Sequence, residues 1–227
     1  METPHLKYHE NIRLVADRLA CQRGGRLVFE DLSFDIGASD FLHLKGANGS
    51  GKTTLLRLLA GLIPAKSGSL MYDGELLETI SIPDTSSFVY SGHHHGLKAV
   101  LTLRENSAAY YQLMTGYALS DKLLRKATTL FGLEGLIDHP VRFFSSGQTH
   151  RCALLRFALL ERPVWLMDEP TVGLDGLNRK RLFQLMEAHL AKGGSIIAAS
   201  HDPIDLPRQE LEMANFVPHS NGEEGWL

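Results

Sequence analysis

Phe41-Leu42-His43-Leu44-Lys45-Gly46-Ala47-Asn48-Gly49-Ser50-Gly51-Lys52-Thr53-Thr54-Leu55-Leu56 is the stretch whose reading decides the fold. Residues 41–44 read as a strand, and they run directly into a glycine-rich loop. TTLLRLLA, 53–60, reads as the helix that follows, stopped by Gly61 and then Pro64. Between them, Gly46 to Thr53 fits the pattern Gly-x4-Gly-Lys-Ser/Thr. Glycines let the backbone curl until successive N–H groups face one point, and the helix start adds its positive dipole end. Gly46, Asn48, Gly49, Ser50, Gly51 and Thr54 are thus expected around the phosphates of a nucleotide, ATP in our reading. Lys52 reaches the β- and γ-phosphates, and the Thr53 hydroxyl holds Mg²⁺. The plain alternative, a Gly-rich turn capping an ordinary helix, explains neither the apolar strand before the loop nor the amphipathic helix after it.

Working outward, Ile12 to Ala20 and Leu32 to Ile36 read as strands around the turn Arg23-Gly24-Gly25-Arg26, an N-terminal antiparallel β lobe. Short strands are expected at Ser69–Asp73 and Ser87–Tyr90. From about 102 to 160 the pattern turns helical, opening with Thr102 and Glu105 as a capping box. Leu123, Ala127 and Leu130 keep helical spacing. Val164 to Met167 is a continuous apolar run of the kind found in buried parallel strands. A helix follows through Leu182, Met186 and Leu190 to Gly193-Gly194, and then a strand from Ser195 to Ala199. Strands alternating with helices imply an α/β fold on a parallel sheet, here a P-loop NTPase core with an inserted helical lobe. The expected division is a polar tail at 1–11, one nucleotide-binding domain at 12–215, and a polar tail at 216–227. Within the domain, 12–90 and 163–215 form the core and 100–160 the helical lobe.

The strand at 164–167 delivers Asp168-Glu169 at its carboxyl end, where open α/β sheets bind ligands. Asp168 is placed to hold Mg²⁺ opposite Thr53. Glu169, one residue on, is a candidate general base for an attacking water, a role worth roughly 10²–10⁴ in rate. Alone, such a pair reads equally well as solvated carboxylates capping the next helix; with the phosphate loop, the catalytic reading prevails.

Composition removes several classes. A chain of 227 residues with net charge −3 has no basic excess, so no nucleic acid partner is expected. Two cysteines, Cys21 and Cys152, lie in no metal-type spacing and read as buried thiols. No apolar run approaches the ~20 residues of a membrane span, and the first residues lack the apolar stretch of a secretory signal. A membrane role would have to come through a partner.

Phe144-Ser145-Ser146-Gly147-Gln148 opens another helix, THRCALLRFALL. Hydroxyls and N–H groups at a helix start suit an anion, although an ordinary N-cap explains them as well. The order of these motifs resembles the ABC (ATP-binding cassette) ATPase family, in which a Leu-Ser-Gly-Gly-Gln segment lies about twenty residues before the acidic pair. The likeness covers residues 12 to 205 or so. It implies that two copies pair head to tail, so that Ser146, Gly147 and Gln148 contact the γ-phosphate held by the partner. It also implies that Gly173-Leu174-Asp175 lines the dimer interface. His201, after the strand SIIAAS, matches the switch histidine that senses the γ-phosphate and steadies Glu169. Catalysis is therefore expected from Glu169, His201 and Lys52.

Compact length, GHHHGL (92–97), RPVWLMDEP and SHDPID further resemble the ATP-binding subunits of heme exporters for cytochrome c maturation. That likeness implies integral membrane subunits as partners and heme only indirectly. It implies a place on the cytoplasmic face of a bacterial inner membrane, or the matrix side of an organelle. An ATPase of another ABC transporter, or a soluble ABC ATPase of an assembly pathway, is the alternative. Three positions depart from the family pattern. Arg23 stands where an aromatic residue usually stacks on adenine, and its planar guanidinium can still stack. His93 stands in the register of the glutamine that touches Mg²⁺ and the attacking water; a solvated loop is the plainer reading of His93 and its neighbours. Ser146 replaces a glycine but keeps its N–H.

Overall fold

β1 (Arg13–Arg23) and β2 (Arg26–Gly37) form a long antiparallel hairpin turned at Gly24-Gly25. Both turn glycines have positive φ, 54° and 80°, which side-chain-bearing residues adopt only with strain. This is a computed structural model, and it describes residues 13–77, 87–92 and 95–218. The expected tail at 1–11, most of that at 216–227, and His93 with its metal role lie outside the described residues.

The hairpin continues into a four-stranded sheet ordered β2-β1-β4-β5, with β4 at Ser67–Tyr72 and β5 at Glu75–Leu76. β1 slips register against both neighbours beyond Ala16 and Asp17. Gly68 of β4 faces that bulge with φ +88°, and a Cβ there would stand 2.3 Å from the Arg18 carbonyl oxygen. Only glycine lets the two backbones approach so closely.

The second sheet has the order β6-β7-β8-β3-β9 and is parallel throughout. It comprises β3 (Phe41–Lys45), β6 (Phe88–Ser91), β7 (Val164–Asp168), β8 (Ser195–Ala199) and β9 (Gln209–Glu212). Its alternate residues feed two apolar layers. Phe41, Trp165, Met167, Ile196 and Ala198 join the layer under the helical lobe. Leu42, Leu44, Val164, Leu166, Ile197 and Ala199 join the layer shared with the antiparallel sheet and α1 (Lys52–Leu59). Period-two alternation in a sheet covered on both faces produces this split, and it explains why the strands read as unbroken apolar runs.

The helical lobe holds α2 (Leu103–Thr115), α3 (Asp121–Leu130) and α4 (Ser146–Leu159). Thr102 and Glu105 close the expected capping box at the start of α2. α5 (Gly176–Ala191) returns to the sheet, starting six residues before Leu182. Its His189 stacks on Trp165, ring centroids 3.8 Å apart. A 3₁₀ turn at Met213–Phe216 carries the fully buried Met213 and ends one residue past the expected domain boundary. β5 and β9 were not foreseen: GluLeu is too short to show a pattern, and GlnGluLeuGlu is a polar edge strand. Among the described residues, no helix is long and apolar enough to cross a membrane.

Candidate active site

Three parallel strands end side by side, β3 at the phosphate loop, β7 at Asp168 and β8 before Ser200. The sheet thus gathers at one carboxyl edge residues far apart in sequence, Thr53 and Asp168 by 115 positions and Asn48 and His201 by 153.

The loop itself is shaped by glycines. Gly46, Gly49 and Gly51 have φ of 140°, 83° and 100°. A Cβ on Gly46 would stand 2.6 Å from Ser50 Oγ, and one on Gly51 would stand 3.0 Å from Val28 Cγ1. Gly51 caps α1 without any side-chain bond, so the first N–H groups of the helix face the loop. Lys52 is buried and lies back over the loop, donating to the carbonyls of Gly46 at 2.6 Å and Ala47 at 3.1 Å. Ser50 Oγ is buried with no hydrogen-bond partner. A cradle crowded against a Cβ at Gly46 and Gly51, an unpartnered hydroxyl and an ammonium group satisfied only by carbonyls fit a polyanion as ligand.

Thr53 Oγ1 donates to Asp168, 2.9 Å from Oδ2 and 3.1 Å from Oδ1. This is the predicted hydroxyl–carboxylate pair, with Asp168 buried at the strand end. Two hard oxygen donors side by side suit Mg²⁺, which takes few protein ligands beside phosphate oxygens. A cleft of about 320 Å³ is walled by Asn48 to Thr54 with Asp168 and Glu169.

Glu169 adopts φ +52°, uncommon for a non-glycine residue, with its N–H bonded to the Ala199 carbonyl at 2.8 Å. Its carboxylate accepts the His201 N–H at 3.2 Å, and the other oxygen lies 3.5 Å from His201 Nε2. The same Nε2 is 2.8 Å from Asn48 Oδ1 in the phosphate loop. Base candidate, switch candidate and phosphate loop therefore form one connected set.

Ser146, Gly147 and Gln148 do not join it within the chain: none of them walls the cleft. Ser145 is the N-cap of α4, accepting the Gln148 N–H at 3.2 Å, while Gln148 Oε1 accepts the Ser145 N–H at 2.8 Å. The N-cap reading therefore holds at Ser145, which also closes a capping box with Gln148, and Ser146 is left exposed on the first turn. A Cβ on Gly147 would stand 3.0 Å from the Gly173 carbonyl, so this helix start packs on the loop before α5. That loop ends at Asp175, which accepts the Asn178 N–H at 2.8 Å, a bond that holds its carboxyl below the usual range. Arg23 is exposed at the hairpin tip in register with Arg26 and also lies outside the cleft walls. The hairpin approaches the loop through Val28 and Phe29 instead.

Several contacts had no local signal in the sequence. Thr171 and Ser200 share a buried hydroxyl bond of 3.2 Å, and Arg179 donates to Asp202 at 3.0 Å. Arg156 of α4 donates to the carbonyls of Tyr90 and His95, at 2.7 and 2.6 Å. His150 Nε2 lies 2.9 Å from the Pro170 carbonyl, and its ring meets His95 edge-on. His43 bonds to Ser200 from the strand before the loop.

The family model described as ABC transporter matches residues 29–172, well over half of the chain. The chain belongs to the ABC transporter family, as one of its ATP-hydrolysing cassettes. Its relatives narrow the type. A protein of Chelativorans sp. named cytochrome c biogenesis ATP-binding export protein CcmA is 39% identical over 206 residues, 89% of this chain and 98% of that protein. A Rhizobium etli protein of the same name is 37% identical over 216 residues, 94% and 100% of the two chains. Among solved structures, an ATP-binding subunit of an ABC transporter is 28% identical with TM-score 0.72, covering 83% of this chain and 79% of that one. The dimeric post-hydrolysis cassette MJ0796, bound to ADP and Pi, shares the fold at 22% identity and TM-score 0.72, over 83% and 88%.

Proposed function

We propose that the chain hydrolyses ATP in a Mg²⁺-dependent reaction coupled to a membrane complex, serving heme handling during maturation of c-type cytochromes. The observation that carries the chemistry is the convergence of Lys52, the Thr53–Asp168 pair and the hydrogen bond from the His201 N–H to Glu169 at one sheet edge. The relatives' shared name supports the biological setting.

The loop N–H groups from Gly46 to Thr54, with Ser50 Oγ, receive the phosphate oxygens. Lys52 exchanges its carbonyl partners for the β- and γ-phosphates. Thr53 and Asp168 hold Mg²⁺, which supplies neutralisation of charge on those oxygens. Glu169 takes the proton of the attacking water, and His201 keeps the Glu169 carboxylate turned toward it. His93 is assigned to the same water and metal.

One chain leaves the γ-phosphate open on one side. Ser146, Gly147 and Gln148 of a second copy fill that side with a helix N-terminus, so two chains enclose each ATP. Arg23 stacks on the adenine and reads base identity weakly. Integral membrane subunits hold the pair at the cytoplasmic face of a bacterial inner membrane, with an organelle matrix as the alternative setting. Heme is met only through those subunits.

The test is purification in mild detergent with identification of partners and an absorption spectrum. Recovery with membrane subunits carrying a heme band is expected. Recovery without membrane partners would move the chain to a soluble assembly pathway.

A further inference from the structure

His43 stands at the centre of β3, its register partners being Ala198 on β8 and Glu210 on β9. The residue is 4% exposed. Ser200 follows directly on the end of β8, two positions beyond Ala198. There His43 Nε2 is 3.0 Å from the Ser200 carbonyl oxygen. A carbonyl only accepts, so Nε2 carries the proton. Nδ1 is buried with no hydrogen-bond partner.

An imidazole with half its capacity unmet is an expensive way to fill a core, since the unpaired nitrogen loses its water for nothing. A leucine would fill the space without that cost. What leucine would not do is hold the Ser200 carbonyl. That carbonyl and the His201 N–H are the two ends of one planar peptide unit. The carbonyl end meets His43, and the N–H end meets Glu169 Oε2 at 3.2 Å. The plane's orientation therefore links a strand residue to the catalytic carboxylate.

We propose that His43 is a positioning residue for ATP hydrolysis: it anchors the Ser200–His201 peptide so that its N–H orients Glu169 while the His201 ring stands at Asn48. The inference rests on Glu169 and His201 acting as described above. Ser200 Oγ is separately held by Thr171, so removing the His43 bond frees the peptide plane without freeing the side chain.

The experiment compares His43→Leu with His43→Gln, whose amide nitrogen can restore the donor, in steady-state ATPase assays. We expect His43→Leu to lose roughly tenfold in kcat with KM for ATP within about twofold, and His43→Gln to recover most of that loss. Equal behaviour of the two variants, or a change confined to KM, overturns the proposal. Should His43→Leu not fold, a long-range proton–nitrogen spectrum of the unaltered protein decides. The Nε2–H tautomer supports the anchor, and the Nδ1–H tautomer overturns it. Glu169→Gln and His201→Ala are assayed alongside. Full turnover in both would overturn the reading of the site and this proposal with it, whereas inactivity there with an indifferent His43 overturns this proposal alone.

Discussion

Glu169→Gln isolates the proposed base from everything else the residue does. The backbone turn at φ +52° is retained, and the amide oxygen can still accept the His201 N–H that now lies 3.2 Å away. The contact with His201 Nε2 at 3.5 Å is long and contributes little. What disappears is the ability to take a proton. General-base catalysis is worth about 10²–10⁴, or some 3–5 kcal/mol of barrier at 1.36 kcal/mol per tenfold. Because the substituted side chain keeps its hydrogen bond and shape, we expect the lower half of that range, a loss of about 10²–10³ in kcat. The cleft walls contributed by Asn48 to Thr54 are untouched, so ATP affinity should stay within about threefold. Single-turnover phosphate release, with binding followed by a fluorescent nucleotide, separates the two quantities. Turnover within threefold of the unaltered protein would refute the assignment of the base.

Further outcomes are expected elsewhere in the fold. Gly68→Ala should lower stability by more than about 2 kcal/mol in a urea titration, because its Cβ would sit 2.3 Å from backbone that cannot swing aside. Burial pushes the His189 imidazole down to about 4. The unfolded chain, with the ring near about 6.5, then binds a proton that the folded one refuses. The contribution is whole above about pH 6.5 and falls by about 2 kcal/mol by pH 5. His189→Gln should flatten that part of the urea-midpoint profile, and an unchanged slope would remove His189 as its source. Burial also raises the Cys152 thiol to about 12, and Cys21 is raised by the same cause. Neither should react with a maleimide at pH 7.5 until the protein is unfolded.

The phosphate loop, the acidic pair and the parallel strands were legible because each is written in consecutive residues. Gly46 to Thr53 carries its own glycine spacing, and Val164 to Met167 and Ser195 to Ala199 are apolar without interruption. The capping box at Thr102 was visible for the same reason. Residues that act across the sheet were not. His43 is one polar letter in a strand, and its partner Ser200 comes just after the end of another strand, 157 positions later. Likewise, nothing near Asn48 announces its bond to His201. The helix start at Ser145 shows a further limit. The same hydroxyls and N–H groups serve as an N-cap within one chain and suit an anion from another, so local chemistry alone does not choose between them.

The proposed grip on ATP depends above all on Lys52. Titration of Lys52→Ala with Mg²⁺ and ATP in a calorimeter, beside the unaltered protein, measures whether the loop grips a triphosphate. Loss of the binding heat at ligand concentrations that saturate the unaltered protein is the predicted result. An unchanged dissociation constant would contradict it.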